Sequence, residues 1–246
     1  YVSVWGGDEI IPRDDEAIEL WKQTFAKYGI EAEYSDDINN VPSSTEEGNE
    51  WKFRIFPYGA DDNWWQRGPS VEGEIGGPTS ELFYDLGQVQ VEQDNYHIND
   101  DSGRFLEVGN SVFMEYKYTD NQWVPMEQKN IDFGGGFERI VVAAQDKHSV
   151  YETDLFTDYI NKLEELSGQK YDPSDPNSDT VKSFRIVAEH IRSATFLLAD
   201  EVIPGNKDQG YILRRLIRRM VRRAIKLGIE GNFARELSQL VISRMS

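Results

Sequence analysis

The chain contains no cysteine. That excludes a disulfide framework and any zinc site built on thiolates, and it suits a reducing, cytoplasmic setting. No apolar run approaches the roughly 18 residues of a bilayer-spanning helix. The longest candidates, around Val141 and Phe196, are short and carry charged flanks. The opening residues do not read as a signal peptide, so no membrane partner is expected. Positive charge is scarce as well: 26 Lys and Arg face 44 Asp and Glu, a net charge of −18, which at first argues against a nucleic-acid partner. What is present is a 246-residue chain, 39% hydrophobic and 28% charged, the composition of a soluble globular protein with room for one large core or two modest ones.

The scarce positive charge is unevenly placed. Residues 181–246 hold 13 Lys and Arg against 6 Asp and Glu, whereas residues 1–180 hold 13 against 38. Such asymmetry points to an electrostatic partner for the basic end, with the acidic part a soluble surface. Tyr1 is not an initiator Met, and Tyr1–Trp5 reads as a strand without a run-in, so the chain is expected to be a piece of something longer.

Periodicity sketches the elements. Asp14-Asp15-Glu16 opens a helix with Ile18, Trp21 and Phe25 on its apolar stripe and Gly29 as its stop. Residues 51–56 alternate as a strand, 59–78 read as a long loop, 81–86 as a short strand, and 105–118 as a long strand turning near Asp120-Asn121. A further strand runs through Asp132 into three glycines, and helices are expected over about 137–145 and 155–166. Residues 172–179 form the best linker candidate; beyond it come helices over about 180–202, 209–227 and 232–245. The fold class expected is α+β, an antiparallel sheet flanked by helices, then an all-helical part: residues 1–170 as one domain, 180–246 as the start of another.

The octet Asp132-Phe-Gly134-Gly-Gly136-Phe-Glu138-Arg139 is the richest in chemistry. Glycines at a strand end let a flat ligand lie on bare backbone, an Arg one helical turn on can meet a phosphate or a base, and an Asp can pair with an ammonium group. Taken alone, three glycines before a helix are simply a tight turn; the pattern is neither a dinucleotide fingerprint nor a P-loop.

The octet resembles motif 3 of class II aminoacyl-tRNA synthetases in its alanyl form, Asp-Thr-Gly-Met-Gly-Leu-Glu-Arg. The resemblance continues in order along the chain. Gly7-Asp8-Glu9 with Pro12-Arg13-Asp14-Asp15-Glu16-Ala17 is similar to the segment after the family's motif 2. Asp62-Asn63-Trp64-Trp65 resembles its Asp-Asn-Phe-Trp, and Gly77-Pro78-Thr79-Ser80-Glu81-Leu82-Phe83-Tyr84-Asp85 its Gly-Pro-Cys-Ser-Glu-Ile-Phe-Tyr-Asp. Glu107-Val108-Gly109-Asn110-Ser111-Val112-Phe113-Met114 is similar to Glu-Ile-Trp-Asn-Leu-Val-Phe-Met. Ala188–Arg192 and Gly210–Arg215 resemble the start of its tRNA-recognition domain.

The resemblance implies ATP-dependent activation of alanine and its transfer to tRNA(Ala), with Mg2+ bridging phosphates. It implies that Asp132 holds the alanine ammonium, Asn110 binds the same amino acid, Trp65 walls the pocket and also borders ATP, and Gly134 and Gly136 admit alanine and adenosine to the backbone. Val108, Gly109 and Arg139 are then expected at ATP, with Glu107 as a metal ligand. No residue is expected to act as a catalytic acid or base, since positioning and phosphate charge stabilisation carry such a reaction. Gly109 departs from the family's Trp, which puts the wall of the nucleotide pocket in doubt. The family's motifs 1 and 2 have no counterpart here, so activity is expected to need a missing upstream segment.

From Tyr211 to Arg223 a four-residue unit of two apolar residues and two Arg repeats. At 100° per residue Arg214, Arg215, Arg218, Arg219, Arg222 and Arg223 fall on one half of a helix, and Ile212, Leu213, Leu216, Ile217, Met220 and Val221 on the other. An amphipathic helix in water explains the pattern; so does an RNA backbone, which would relieve the mutual repulsion of six Arg. The family resemblance favours RNA, with Asn206 reading a base and Arg214 and Arg218 on phosphates. Two other readings stay open: a non-catalytic RNA-binding synthetase-like paralogue, and an acidic ATP-binding protein without an RNA partner, although the latter leaves the basic end unexplained.

Overall fold

The computed structural model describes residues 1–43, 50–87 and 96–245. The chain divides into two compact units, Tyr1–His148 and Ser149–Ser246.

In the first unit, seven strands among the described residues form one sheet: β1 (Val2–Trp5), β2 (Glu33–Tyr34), β3 (Phe53–Tyr58), β4 (Trp64–Gln66), β5 (Ile75–Asp85), β6 (Phe105–Thr119) and β7 (Gln122–Gly135). Their order is β2-β3-β1-β5-β6-β7, with β4 on β5. The expected antiparallel sheet runs from β1 through β5 and β6 to β7; β2 and β3 extend it with parallel pairings, so the sheet is mixed. Helix α1 (Asp15–Lys27) is capped by the Asp14 carboxylate, which accepts the Ala17 N–H at 2.9 Å, and carries Asp15 and Glu16 in its first turn, where the helix dipole favours them. It lays Ala17 and Ile18 on Val2, Val4 and Ile55, with Trp21, Phe25 and Phe113 at the margin. A second apolar cluster, Phe56, Tyr58, Phe83, Ile98 and Phe105, closes one end of the unit.

The segment expected as a loop over 59–78 is more ordered than that. A one-turn helix α2 (Ala60–Asn63), β4 and the first four residues of β5 all fall inside it. Two of the glycines that suggest a loop, Gly76 and Gly77, are there for proximity. A Cβ on Gly77 would lie 1.8 Å from the Phe113 carbonyl oxygen, so the close approach of β5 to β6 excludes any side chain. The β6–β7 hairpin turns at Asp120 and Asn121, both with φ near +50 to +61°, the left-handed pair of a tight two-residue turn. A buried Arg104 grips Asp85 with two parallel bonds (2.9 and 2.7 Å) and donates to the Pro42 carbonyl at 2.7 Å, tying the end of β5 to the preceding loop. Helix α3 (Phe137–Ala144) follows β7 directly.

The second unit is helical: α4 (Thr157–Ser167), α5 (Asp179–Ala199), α6 (Asp208–Lys226) and α7 (Phe233–Met245). Tyr159, Leu163, Phe184, Val187, Met220, Ala224, Leu237 and Val241 form its core. Residues 172–178, the linker candidate, are a loop inside this unit. Helix α4 packs into the core, and Gln169 donates to the Leu227 carbonyl at 2.9 Å, so the chain on both sides of the loop shares one interior. Among the described residues no helix is long and apolar enough to cross a membrane.

Candidate aminoacylation site and nucleic-acid face

Register places one row of residues straight across four strands. Ser3 of β1 stands opposite Glu81 of β5, Glu81 opposite Asn110 of β6, and Asn110 opposite Gly134 of β7. The next row on the same face is Thr79, Val112 and Asp132. Directly paired residues project to one side of a sheet, and alternation puts Val2, Val4 and Phe113 on the other side, with α1. The face away from α1 is therefore polar across its middle.

These side chains are interlocked. The Asn63 amide at the end of α2 donates to Ser3 Oγ at 3.0 Å and to the Thr79 carbonyl at 2.9 Å, and the Asn110 amide donates to Glu81 Oε1 at 2.9 Å. Ser3 in turn stands directly opposite Glu81 across the β1–β5 ladder. Burial, then the nearby charges of Glu107 and Asp62, push the Glu81 carboxyl up to about 7. The Asn110 and Asn63 side-chain oxygens are buried without a hydrogen-bond partner. Buried acceptors left unpaired are costly, and a polar row that leaves acceptors over suits a ligand that brings donors. A Cβ on Gly134 would meet nothing within 4 Å, so open space adjoins Asn110.

At the end of β7, Gly136 donates to the Val108 carbonyl at 3.0 Å, and the Arg139 stem lies where a Gly136 Cβ would stand, 3.0 Å from Cδ. Arg139 Nη1 donates to Glu107 twice, to the carbonyl at 3.0 Å and to Oε2 at 2.9 Å. Both side chains are partly exposed. Trp65, at the middle of β4, faces Gly77 across the ladder and is half-buried, whereas its neighbour Trp64 enters an aromatic cluster with Trp5, Tyr116 and Trp123.

Gly109 lies on the α1 face, opposite to Asn110 in direction. A Cβ there would stand 2.8 Å from the Phe133 ring, and one on Gly135 2.9 Å from the same ring. Phe133 thus lies over two glycines and occupies the space that a large residue at 109 would claim. Gly109 and Gly135 both leave room for the Phe133 ring, which stands where the resembled motif has Thr.

No cluster of three or more metal-ligating side chains occurs among the described residues. The fit for a divalent cation therefore rests on Glu107, a single carboxylate at the strand end. That suits Mg2+, which takes one or two carboxylates and completes its shell with phosphates and water.

In the helical unit, Asn206, Tyr211, Arg214, Arg215, Arg218, Arg219 and Arg222 together line an open groove of about 480 Å3. The loop before α6 is held onto it: Gly205 donates to the Gly210 carbonyl at 2.9 Å, and a Gly210 Cβ would stand 2.6 Å from the Ile203 oxygen, so residue 210 must be glycine. That fold-back sets Asn206 against Arg214, whose guanidinium donates to Asn206 Oδ1. Arg215 lies over the Tyr211 ring. None of these five Arg has a carboxylate partner among the described residues. Arg223, grouped with them by periodicity, is different: it donates to Asp179 at 2.5 Å and, with Lys226, anchors the start of α5. The apolar half is also narrower than expected. Leu213, Met220 and Ala224 are buried, whereas Ile212 and Val221 are exposed.

Sequence reasoning placed Asn110, Asp132 and Gly134 together, and the groove gathers Asn206 with the arginines. It passed over Ser3, Asn63, Thr79 and Glu81 as site residues. The signal for three of them was present, since they lie inside the family-like segments 62–65 and 77–85.

Residues 12–246 match the family model described as tRNA synthetases class II (A). The chain belongs to that family. It is 38% identical over 245 residues to an alanine–tRNA ligase of Treponema denticola, 37% identical over 245 residues to one of Elusimicrobium minutum, and 35% identical over 235 residues to one of Petrotoga mobilis. Those alignments cover 98%, 98% and 94% of this chain but 36%, 24% and 24% of the relatives, so the chain spans about a quarter to a third of the length of the curated relatives it matches.

Proposed function

We propose that this chain is part of an alanine–tRNA ligase, carrying the amino-acid side of the aminoacylation site and the first tRNA-binding helices. The observation that carries the reading is the polar row, in which buried acceptor oxygens stand beside bare glycine backbone with Asp132 on the same face. Asp132 pairs with the alanine ammonium through a charge-assisted hydrogen bond, and Asn110 accepts from the same group. Trp65 keeps the pocket short, and Gly134 lets the amino acid approach. The alanine carboxylate attacks the α-phosphate of ATP, giving alanyl-adenylate and pyrophosphate; a ribose hydroxyl at the tRNA 3′ end then takes the alanyl group and AMP departs.

Gly136 and the backbone at Val108 and Gly109 border the nucleotide. Arg139 exchanges its bond to Glu107 for a contact with ATP. When bound, Mg2+ neutralises phosphate charge, and Glu107 is the residue that would hold it. Asn206 reads a base of tRNA(Ala), and Arg214, Arg215, Arg218, Arg219 and Arg222 meet phosphates. The sheet unit, Tyr1–His148, serves the catalytic domain and residues 180–246 of the helical unit serve tRNA recognition, in a cytoplasmic protein that also supplies an upstream segment completing the ATP site. Without that segment, the 246-residue chain gives no alanine-dependent ATP–pyrophosphate exchange.

The test is calorimetric titration of the chain with L-alanine. Binding is expected, and Asp132→Asn should weaken it about tenfold to a hundredfold, the range for losing a charged hydrogen bond. Unchanged affinity in Asp132→Asn contradicts the assignment.

A further inference from the structure

Resting on the amino-acid reading above, we propose that Glu81 is a positioning residue of that site: it fixes the amide of Asn110 so that Oδ1, not the NH2 group, is presented to the ligand's ammonium. The inference comes from the direction of every bond in the row. A primary amide is nearly symmetric in shape, so packing alone does not choose between its two orientations; its neighbours' donor or acceptor character does. Asn110 Nδ2 donates to Glu81 Oε1 at 2.9 Å, and its Oδ1 is buried without a partner. Turning the amide over would set its oxygen against the carboxylate and its NH2 toward an ammonium, facing acceptor with acceptor and donor with donor.

The opposite side of Glu81 is ordered in the same sense. Asn63 Nδ2 donates to Ser3 Oγ at 3.0 Å and to the Thr79 carbonyl at 2.9 Å. Ser3, whose oxygen accepts from Asn63, stands opposite Glu81 across the β1–β5 ladder with its hydroxyl proton still to place. Glu81 thus accepts from Asn110, and the amide oxygens on its two sides, Asn110 Oδ1 and Asn63 Oδ1, are left buried and unpaired. A neutral Gln of the same size would offer Asn110 a donor as well as an acceptor, whereas a carboxylate only accepts. The raised pKa of Glu81, caused by burial and then by Glu107, agrees with this: a ligand ammonium is the counter-charge that the row lacks.

The experiment is an L-alanine titration of the 246-residue chain, followed through the backbone amide resonances of Asp132 and Gly134. It compares the unaltered chain with Glu81→Gln, Glu81→Asp, Asn110→Ala, the Glu81→Gln/Asn110→Ala double variant, and Asp132→Asn. Glu81→Gln keeps shape and hydrogen-bonding capacity but can donate to Asn110 Oδ1, and an unchanged spectrum without alanine verifies its fold. We expect Glu81→Gln to weaken alanine about tenfold, the scale of one charge-assisted hydrogen bond, with Glu81→Asp recovering part of the loss. The double variant should bind no more weakly than Asn110→Ala alone, because the two residues act through one contact. Undiminished binding by Glu81→Gln, or losses that add in the double variant, overturns the inference while a persisting effect of Asp132→Asn leaves the amino-acid reading intact. Absence of alanine binding by the unaltered chain, or binding indifferent to both Asp132→Asn and Asn110→Ala, removes that reading and the inference with it.

Discussion

In the sheet unit the polar groups that matter face inward. Ser3, Asn63, Glu81 and Asn110 are wholly or partly buried, bonded to one another, and arranged so that acceptors are left over. In the helical unit they face outward: five Arg share an open groove with no acidic partner among the described residues, over a core of Leu, Met and Ala. On the proposed function, the contrast follows from what each ligand would bring. A small zwitterion is recognised by few groups held rigidly in a place where water is scarce, so register and buried hydrogen bonds do the holding. A polyanion is recognised by many charges, each replaceable, on a solvated surface. The first kind of site tolerates no misplacement; the second loses affinity gradually.

That difference can be broken at several points. The largest effect is expected at Arg104→Ala, which leaves Asp85 buried without its partner; urea melting should show a loss of about 3–5 kcal/mol, whereas a loss under 1 kcal/mol would mean that the pair is solvated. Gly109→Trp should cost about 1–3 kcal/mol by driving a large ring into Phe133, and Phe133→Thr added to it should recover most of that loss, since Thr vacates the space over residue 109. If the double exchange is no better than Gly109→Trp alone, Phe133 is not the compensating residue. In the helical unit, Arg218→Ala should lower the slope of log affinity against log salt for an acceptor-stem RNA by about 0.9, the value for one phosphate contact. Arg223→Ala, whose guanidinium holds Asp179, should leave the slope unchanged; equal effects would erase the distinction between the two.

The smallest effects are in pH, and the two units should differ in sign. The Glu81 pKa is about 7 in the fold, above the ordinary carboxylate value of 4.5, so its contribution is present at low pH and fades as pH rises through that window. His190 is buried with both ring nitrogens unpartnered, and burial lowers its pKa below 6.5. Its contribution is present above 6.5 and fades as pH falls through its folded value. Glu81→Gln should flatten the alkaline loss and His190→Leu the acid one, each read from thermal melting across pH 4.5–8; swapped assignments would contradict the burial argument.

Much of this was readable from residues alone where a local rule decides. Asp14 capping α1, the Asp120-Asn121 turn and the arginine period each depend on neighbours in sequence, and each appears as the pattern suggests. What escaped depended on contacts between distant strands. Gly76-Gly77 looks like a loop because the reasons for glycine are distant in sequence: the Trp123 ring over Gly76 and the β6 backbone at Phe113, some 36 residues on, against Gly77. The row through Ser3 and Glu81 needs the register of four strands, and the separation of Arg223 from its neighbours needs Asp179 on another helix. Gly109 reads as a defect until Phe133 is seen above it.

The most direct test of the division between the units is a pair of NMR titrations on the same isotopically labelled chain, one with L-alanine and one with an RNA hairpin of the tRNA(Ala) acceptor stem. We expect alanine to shift Asn110, Asp132 and Gly134 and to leave α6 unmoved, and the hairpin to shift Asn206 and the arginines of α6 while leaving the polar row unmoved. Alanine shifts confined to α6, or hairpin shifts centred on β6 and β7, would contradict it.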